Sequence, residues 1–86
     1  MASTSPGYGI TIRVEGSPES HPVALATTVI TGAGATITAL DVVESLLEKV
    51  VIDITCDTID SDHADQITVA ISAHPELTVR KVSDRT

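Results

Sequence analysis

The chain has 86 residues, of which 12 are acidic and 5 basic, for a formal net charge of −7. This length fits one domain, and the acidic balance argues against binding to nucleic-acid phosphates or anionic membranes, which require a basic patch. With no Phe or Trp, one Tyr and one Cys, the core must come from Val, Ile, Leu and Ala, and no internal disulfide can form. We therefore expect a cytoplasmic domain whose thin margin of stability oligomerisation would increase.

The first predicted element is a strand over Tyr8–Glu15 (YGITIRVE), in which apolar and polar residues alternate. The seven residues before it lack the basic and apolar regions of a signal peptide, and we expect them to form a disordered leader. A turn-rich loop, Gly16–Pro22, leads into a helix. Ser20 or His21 lies at the predicted cap of that helix, and Pro22 lies in its first turn, where a missing N–H costs nothing.

The first helix should bury apolar residues at helical spacing, namely Val23, Ala26 (or Leu25), Val29, Ile30 and Ala33. The sequence GAG then ends it, and Gly34 is the better candidate for a left-handed cap. Two strands are predicted next, Ala35–Val43 and Leu47–Cys56, with a turn around Glu44–Leu46 between them.

The second half of the chain repeats this alternation of elements. The acidic side chains of Asp60–Asp62 lie at the start of a second helix, where they complement its dipole, and Pro75 closes the helix. Its buried positions are predicted to be Ala64, Ile67, Ala70 and Ile71. A last strand covers Leu77–Val82. This order predicts an α/β (α+β) domain with the ferredoxin-like βαββαβ sandwich, a four-stranded antiparallel sheet with two helices on one face.

Motifs for catalysis, metals or nucleotides are not evident in the sequence. The stretch TGAGATITA lacks the third glycine of a dinucleotide fingerprint and follows a helix instead of preceding one. The side chains of His21, His63, His74 and Cys56 do not have the spacing of a metal site. We therefore predict no catalytic residue and no metal ligand in this chain.

Several stretches in this order resemble a known family. They are ITIRVE in the first strand, AGATITALDVVE at Ala33–Glu44, VIDIT at Val51–Thr55, the residues Asp60–Ala70, and VSDRT at Val82–Thr86. Together they resemble the ACT domain, a regulatory module of enzymes of amino-acid metabolism. The nearest resemblance is to the N-terminal ACT domain of bacterial NAD-dependent malic enzymes.

The resemblance implies an ACT-like regulatory domain over residues 8–82, with residues 83–86 opening a linker to a catalytic region beyond the chain. The catalytic tyrosine and lysine of malic enzyme, its metal-binding acids, its NAD and its divalent metal would all belong to that region. The chain itself would need no cofactor. One departure is the loop SPESHPVAL, where His21 or Val23 replaces the glycine of the Pro-Gly that ACT domains use to bind amino acids.

The function that the resemblance implies is binding of an amino acid or small anionic metabolite that controls an attached enzyme. The expected ligand-binding residues are Glu15, Gly16, Ser17, Ser20, His21, Val23 and Ala24, with Gly34 and Ala35 contributed by a dimer partner. Backbone amides around Val23 and Ala24 would hold a carboxylate. The missing glycine favours an alternative, a structural module that joins subunits and has lost its ligand.

We expect a homodimer. The predicted second strand, Ala35–Val43, lies at an edge of the sheet, carries only the charge of Asp41, and contains no evident Lys, Pro or bulge that would protect it. A two-fold partner would pair with this edge and pack first helix against first helix. The outer face of the sheet is expected to expose four aliphatic side chains, those of Leu40, Val42, Val51 and Val82.

Overall fold

The computed structural model describes residues 7–84. Within them the elements, in chain order, are β1 (Tyr8–Gly16), a 3-10 turn (Pro18–Ser20), α1 (Pro22–Gly32), β2 (Thr36–Ser45), β3 (Val50–Thr58), α2 (Ser61–Ser72) and β4 (Leu77–Asp84). The expected leader, apart from Gly7, and the last two residues of the expected linker lie outside this range. In the described part of the chain, no helix combines the length and the hydropathy needed to cross a membrane.

The four strands form one antiparallel sheet in the order β2-β3-β1-β4. The two helices pack on the same sheet through a common core, which confirms the predicted ferredoxin-like βαββαβ fold. The central strands are β1 and β3, and β2 and β4 lie at the edges, as the crossover geometry predicts.

Isoleucine fills most of the core. The largest fully buried side chains are Ile10, Ile12, Val14, Ile30, Ile52, Ile54, Cys56, Ile67 and Ile71. They come from both central strands and both helices, at the alternate or helical positions that the sequence pattern predicts. Each buried aliphatic side chain contributes about 1.5–3 kcal/mol to stability, so this layer replaces the Phe and Trp that the chain lacks.

The turn between β2 and β3 lies later than predicted. The strand β2 continues to Ser45, and the N–H of Leu46 donates to the carbonyl of Lys49 at 2.8 Å to close the turn. Leu47 lies at its tip with 95% of its surface exposed. The apolar pair Leu46–Leu47 is typical of a strand, but the pairing of β2 with β3 determines where the chain reverses. The prediction of a turn at Glu44–Leu46 was wrong.

Three register shifts change which face the edge-strand side chains occupy. One residue is skipped at Thr38 and another at Val43 in the β2–β3 ladder, and Arg80 is skipped in the β1–β4 ladder. An extra residue in one strand reverses the alternation of faces beyond it. The edge strand β2 therefore does contain bulges, and the expectation that its edge has none was wrong.

The bulges also correct the predicted outer face. Residues opposite each other in an antiparallel ladder share a face. Leu40 pairs with Ile54 and Val42 pairs with Ile52, and Val82 pairs with Ile12, so all three lie on the helix side of the sheet. Among the four predicted residues, Val51 does lie on the outer face, but only 7% of its surface is exposed.

Candidate functional site

The candidate ligand site lies where β1 ends and α1 begins. Gly16, the last residue of β1, lies close under the connecting loop. A Cβ added to Gly16 would lie 3.0 Å from the Cβ of Pro22, 3.1 Å from the carbonyl oxygen of Glu76 and 3.2 Å from the Oγ of Ser20. The absence of a side chain at Gly16 therefore lets the loop pack against the end of the strand.

The loop consists of one 3-10 turn that leads directly into α1. The N–H of Ser20 donates to the carbonyl of Ser17 at 3.0 Å, and the N–H of His21 donates to the carbonyl of Pro18 at 3.1 Å. His21 has φ 52° and ψ 62°, the left-handed conformation, and its carbonyl accepts the N–H of Leu25 at 3.0 Å. Of the two positions where a glycine was expected, His21 is the one with the backbone conformation that glycine favours.

At the start of α1, the first backbone N–H groups have no hydrogen-bond acceptor among the residues that the structure describes. The side chain of His21 makes no capping hydrogen bond, and Pro22 at the first helical position has no N–H. The N–H groups of Val23 and Ala24 come before the first intrahelical hydrogen bond, which Leu25 makes. Such groups form the positive end of the helix dipole and attract anions.

A cavity of about 390 Å³ opens at this helix start. Its walls are formed by Pro18, His21, Pro22, Val23, Ala24 and Val50. The volume falls within the range of small-molecule sites in proteins. Most of the lining is aliphatic, with the His21 side chain as its polar group, so the cavity suits a ligand with an apolar body and an acidic end.

The structure brings some of the expected site residues together and separates others. His21, Val23 and Ala24 line the cavity, and Gly16, Ser17 and Ser20 form the strand end and turn that support it. The carboxylate of Glu15 instead forms an ion pair with Arg80 on the outer face of the sheet. Gly34 and Ala35 follow the far end of α1, about 16 Å along the helix axis, so they would reach this cavity only from a second chain.

Sequence reasoning missed Val50 of the cavity, whereas Pro18 and Pro22 lie within the predicted loop but were not singled out as ligand-binding residues. Val50 lies opposite Gly16 in the β1–β3 ladder, so a loop that packs over Gly16 also lies over Val50. A short motif contains no signal for this pairing, because Gly16 and Val50 belong to strands separated in sequence by α1 and β2, and their register depends on the whole sheet.

His63 was also missed as a structural residue. Its ring is buried, its Nδ1 accepts the N–H of Ile59 at 2.9 Å, and its Nε2–H donates to the carbonyl of Ala33 at 2.7 Å. Its own N–H donates to Oδ1 of Asp60 at 2.8 Å, which caps α2. With both ring nitrogens bonded, His63 links the end of α1 to the start of α2. Gly34, in the predicted left-handed conformation with φ 92°, lies beside the ring.

The remaining groups considered for chemistry lie apart. The thiol of Cys56 is fully buried, and burial, with a smaller effect of Asp57, raises its pKa. A thiol with a raised pKa is a poor nucleophile at neutral pH. Among residues 7–84, no group of three His, Cys, Asp or Glu side chains could hold a metal ion.

The element order and strand order together define a ferredoxin-like α+β domain. The chain is similar in structure to the C-terminal domain of the MgtC protein from Mycobacterium tuberculosis, determined in solution, with a TM-score of 0.65. The match covers 98% of this chain and 92% of that chain at 11% sequence identity, and it shows a shared fold. No protein-family model matches the sequence, and no curated protein matches it either.

These comparisons overturn the resemblance to an ACT domain of malic enzyme. The MgtC domain is a solved structure that shares the fold, and no family match supports the malic-enzyme parent, its NAD or its metal. The stretches behind the resemblance are strands of alternating aliphatic residues and an acidic helix start. Any βαββαβ sequence needs such stretches, because half-buried strands and capped helices require them, so they indicate the fold and not the family.

Proposed function

We propose that this chain is a non-catalytic, cytoplasmic domain that binds a small carboxylic acid at the start of α1 and regulates an attached protein. The cavity at the helix start supports this proposal most directly, because it combines two unpaired backbone N–H groups, those of Val23 and Ala24, with aliphatic walls. The acidic composition and the single buried cysteine support the cytoplasmic assignment.

The chemistry of the cavity defines the class of ligand. A carboxylate would accept from the N–H groups of Val23 and Ala24, at the positive end of the helix dipole. The rest of the ligand would contact the aliphatic surface of Pro18, Pro22 and Val50. An amino acid or a short metabolic acid with an apolar body satisfies both requirements.

Regulation would follow from ordering the loop. The cavity is made by the turn and the first residues of α1, so a bound acid would hold these two segments together. A regulatory ligand typically binds one state of the protein more tightly than the other by 1–3 kcal/mol, which shifts the equilibrium between the two states by about 5–150-fold. The proposal therefore requires a binding partner or a covalently attached domain that contacts this loop.

A thermal-shift screen of amino acids and small carboxylic acids tests the proposal, with Ala24→Glu as the diagnostic variant. Glutamate at this exposed position near the helix start favours the dipole, so the variant should fold normally. Its carboxylate would repel the ligand, and the stabilisation by an active acid should disappear. Thr28→Glu, one turn further along the exposed side of α1, is the matched control and should retain the response.

The screen has a clear negative outcome. If no acid at millimolar concentration stabilises the wild-type chain, the ligand-binding function is wrong. An acid that stabilises wild type and Ala24→Glu equally would bind elsewhere, and the assignment of the site would be wrong.

A second candidate function is a structural module that joins two copies of the chain. Supporting it are the exposed apolar side chains at the β2–β3 end of the sheet, namely Val42, Val43, Leu46 and Leu47, which are 54%, 46%, 49% and 95% exposed. The partner would pair with the β2 edge and contact α1. The bulges at Thr38 and Val43 count against a long continuous ladder.

Sedimentation velocity separates the two functions. The structural module should dimerise without any added acid, and Thr38→Pro should weaken the dimer if the N–H of Thr38 faces the partner. Circular dichroism of the same variant must match wild type for that result to count. A wild-type chain that sediments as a monomer at about 100 µM, a concentration at which a dimer with a Kd near 1 µM is nearly complete, would rule out the structural module.

A further inference from the structure

The basic residues of this acidic chain are concentrated at one place. The sequence has five basic residues against 12 acidic ones. Four of the five, Arg13, Lys49, Arg80 and Lys81, line a single cavity of about 410 Å³ on the outer face of the sheet. The fifth, Arg85, lies outside the described residues. The candidate site at the start of α1 uses none of these cations.

The fold brings the four cations together from distant parts of the sequence. Arg13 lies in the central strand β1, Lys49 ends the β2–β3 turn, and Arg80 and Lys81 lie in the edge strand β4. The bulge at Arg80 places both Arg80 and Lys81 beside the same cavity. Arg13 and Lys81 are direct cross-strand partners, an arrangement of like charges that destabilises a sheet when nothing compensates it.

The carboxylates near the cavity accept hydrogen bonds from only some of the N–H donors of its two arginines. Arg13 donates through Nε and Nη2 to Asp53 at 2.8 and 2.9 Å. Arg80 donates through Nη1 to Glu15. Each guanidinium has five N–H donors, so both retain donors for a further acceptor.

The two lysines form weaker contacts with carboxylates than the two arginines do. The Nζ of Lys49 lies 3.6 Å from Glu44, which is longer than a hydrogen bond. Among the side chains that the structure describes, Lys81 forms no ion pair within 4.0 Å, although the carboxylate of Asp53 attracts it from a longer distance. Lys81 is therefore a cation without a close ion pair, next to Arg13, at the wall of the cavity.

Two valines and one acidic residue complete the lining of the cavity. Val51 has 7% of its surface exposed, Val43 is displaced by the second bulge of β2, and Glu44 lies near Lys49. The side chains of Arg13, Lys49 and Arg80 are 42%, 39% and 54% exposed, so a bound anion would meet them at the surface of the sheet. The volume is that of a small-molecule site and too small for a folded partner.

We propose that the outer-face cavity is a second binding site, specific for a small anion with two or more charges, carried on phosphate or carboxylate groups. Lys81 would supply a full positive charge, and Arg13 and Arg80 would donate through the N–H groups that Asp53 and Glu15 leave unused. Lys49 would contact the opposite side of the same anion. A bound anion would add to the compensation that the Asp53 carboxylate already gives to the neighbouring charges of Arg13 and Lys81.

Isothermal titration of the full chain with pyrophosphate and, separately, with citrate tests this site. Ionic strength is held constant, because added salt screens exposed charges. We expect saturable binding of at least one of the two below about 10 mM, with acetate weaker than either. The preferred anion identifies the ligand as a phosphate or a carboxylate compound.

Lys81→Gln is the diagnostic variant, and it should weaken binding by about tenfold, the typical loss for one charge-assisted hydrogen bond. Thr28→Glu changes the net charge by the same amount on the opposite side of the sheet and should leave the affinity unchanged. Ala24→Glu should also leave it unchanged, which separates this site from the one at the start of α1. Absence of saturable binding by both anions, or an equal loss in Lys81→Gln and Thr28→Glu, would overturn the proposal.

Discussion

At the scale of single residues, His21 determines how the chain enters α1. Its N–H ends the 3-10 turn and its carbonyl begins the helix, and between these two hydrogen bonds its backbone is left-handed. Histidine tolerates this conformation better than a branched residue does, because a second atom on Cβ increases the clash with the backbone. His21 is also the polar group of the candidate ligand cavity.

Two substitutions at this position should therefore differ in stability. His21→Gly relieves the backbone strain but gains unfolded-state entropy, and we expect the free energy of unfolding to stay within about 1 kcal/mol of wild type. His21→Val should lower it by about 1–2 kcal/mol. Chemical denaturation without added ligand measures both. Equal stability of the two variants would contradict the conformation assigned to His21.

The ion pair between Arg13 and Asp53 crosses the two central strands on the outer face. The hydrogen bonds from Arg13 hold the pKa of the Asp53 carboxyl below its ordinary value. The Asp53 carboxylate is therefore protonated less readily in the folded state than in the unfolded state. The ion pair stabilises the folded state fully above the unfolded pKa of about 3.9, and this stabilisation is lost as pH falls through the lower folded pKa.

This sign predicts the behaviour of Asp53→Asn. At pH 7 the variant should be less stable than wild type, because Arg13 loses a charged acceptor. The difference should shrink as pH is lowered below about 4, because the carboxyl of wild type is protonated first in the unfolded state and, at lower pH, in the folded state too. Urea denaturation of both proteins at pH 7, 4 and 2.5 measures this difference in stability. A stability difference that does not change with pH would contradict the charge-based explanation.

At the scale of elements, the helix starts and the strand alternation could be predicted from the sequence, and the irregularities could not. The acidic start of α2 and the alternation of β1 are local patterns, and both are present in the structure. The bulges at Thr38, Val43 and Arg80 depend on the partner strand. For this reason Leu40, which the alternation assigns to the outer face, lies on the helix side.

Two glycines in neighbouring elements give a matched test of packing. Gly16→Ala would bring a Cβ to 3.0 Å from Pro22 and 3.1 Å from Glu76, so we expect a loss of about 1–3 kcal/mol. In α1, a Cβ added to Gly32 meets nothing within 4 Å, and Gly32→Ala should gain about 0.4–1 kcal/mol. Thermal denaturation compares them. A neutral Gly16→Ala would mean that the loop does not pack on the strand end as described.

At the scale of the whole molecule, the two candidate sites lie on opposite faces of one end of the sheet. Successive residues of β3 point to opposite faces, so Val50 lines the cavity at the start of α1 and Val51 lines the outer-face cavity. Glu15 and Gly16 of β1 are divided in the same way, with Glu15 on the outer face and Gly16 under the loop. A ligand at either site therefore contacts strands that also form the other.

The candidate site could be predicted only in part. The loop, its prolines and the helix start are adjacent in sequence, so local patterns placed His21, Val23 and Ala24 at the start of α1, and the family resemblance named them as ligand-binding residues. Val50 and the four cations of the outer face come together only through strand register. The family resemblance failed for a related reason, because short aliphatic and acidic patterns reflect the requirements of the fold and are shared by unrelated chains.

The most direct test of the account is a ¹⁵N amide correlation spectrum of the chain titrated with the acid that gives the largest thermal shift. Binding at the start of α1 predicts saturable shifts of the Val23 and Ala24 amides, with little change at Val69 on the exposed side of α2. The opposite result would be unchanged Val23 and Ala24 amides while the acid binds, or shifts confined to Val51 and Lys81 on the outer face. Either would contradict the proposed site, and the second would identify the outer-face cavity as the place where small acids bind.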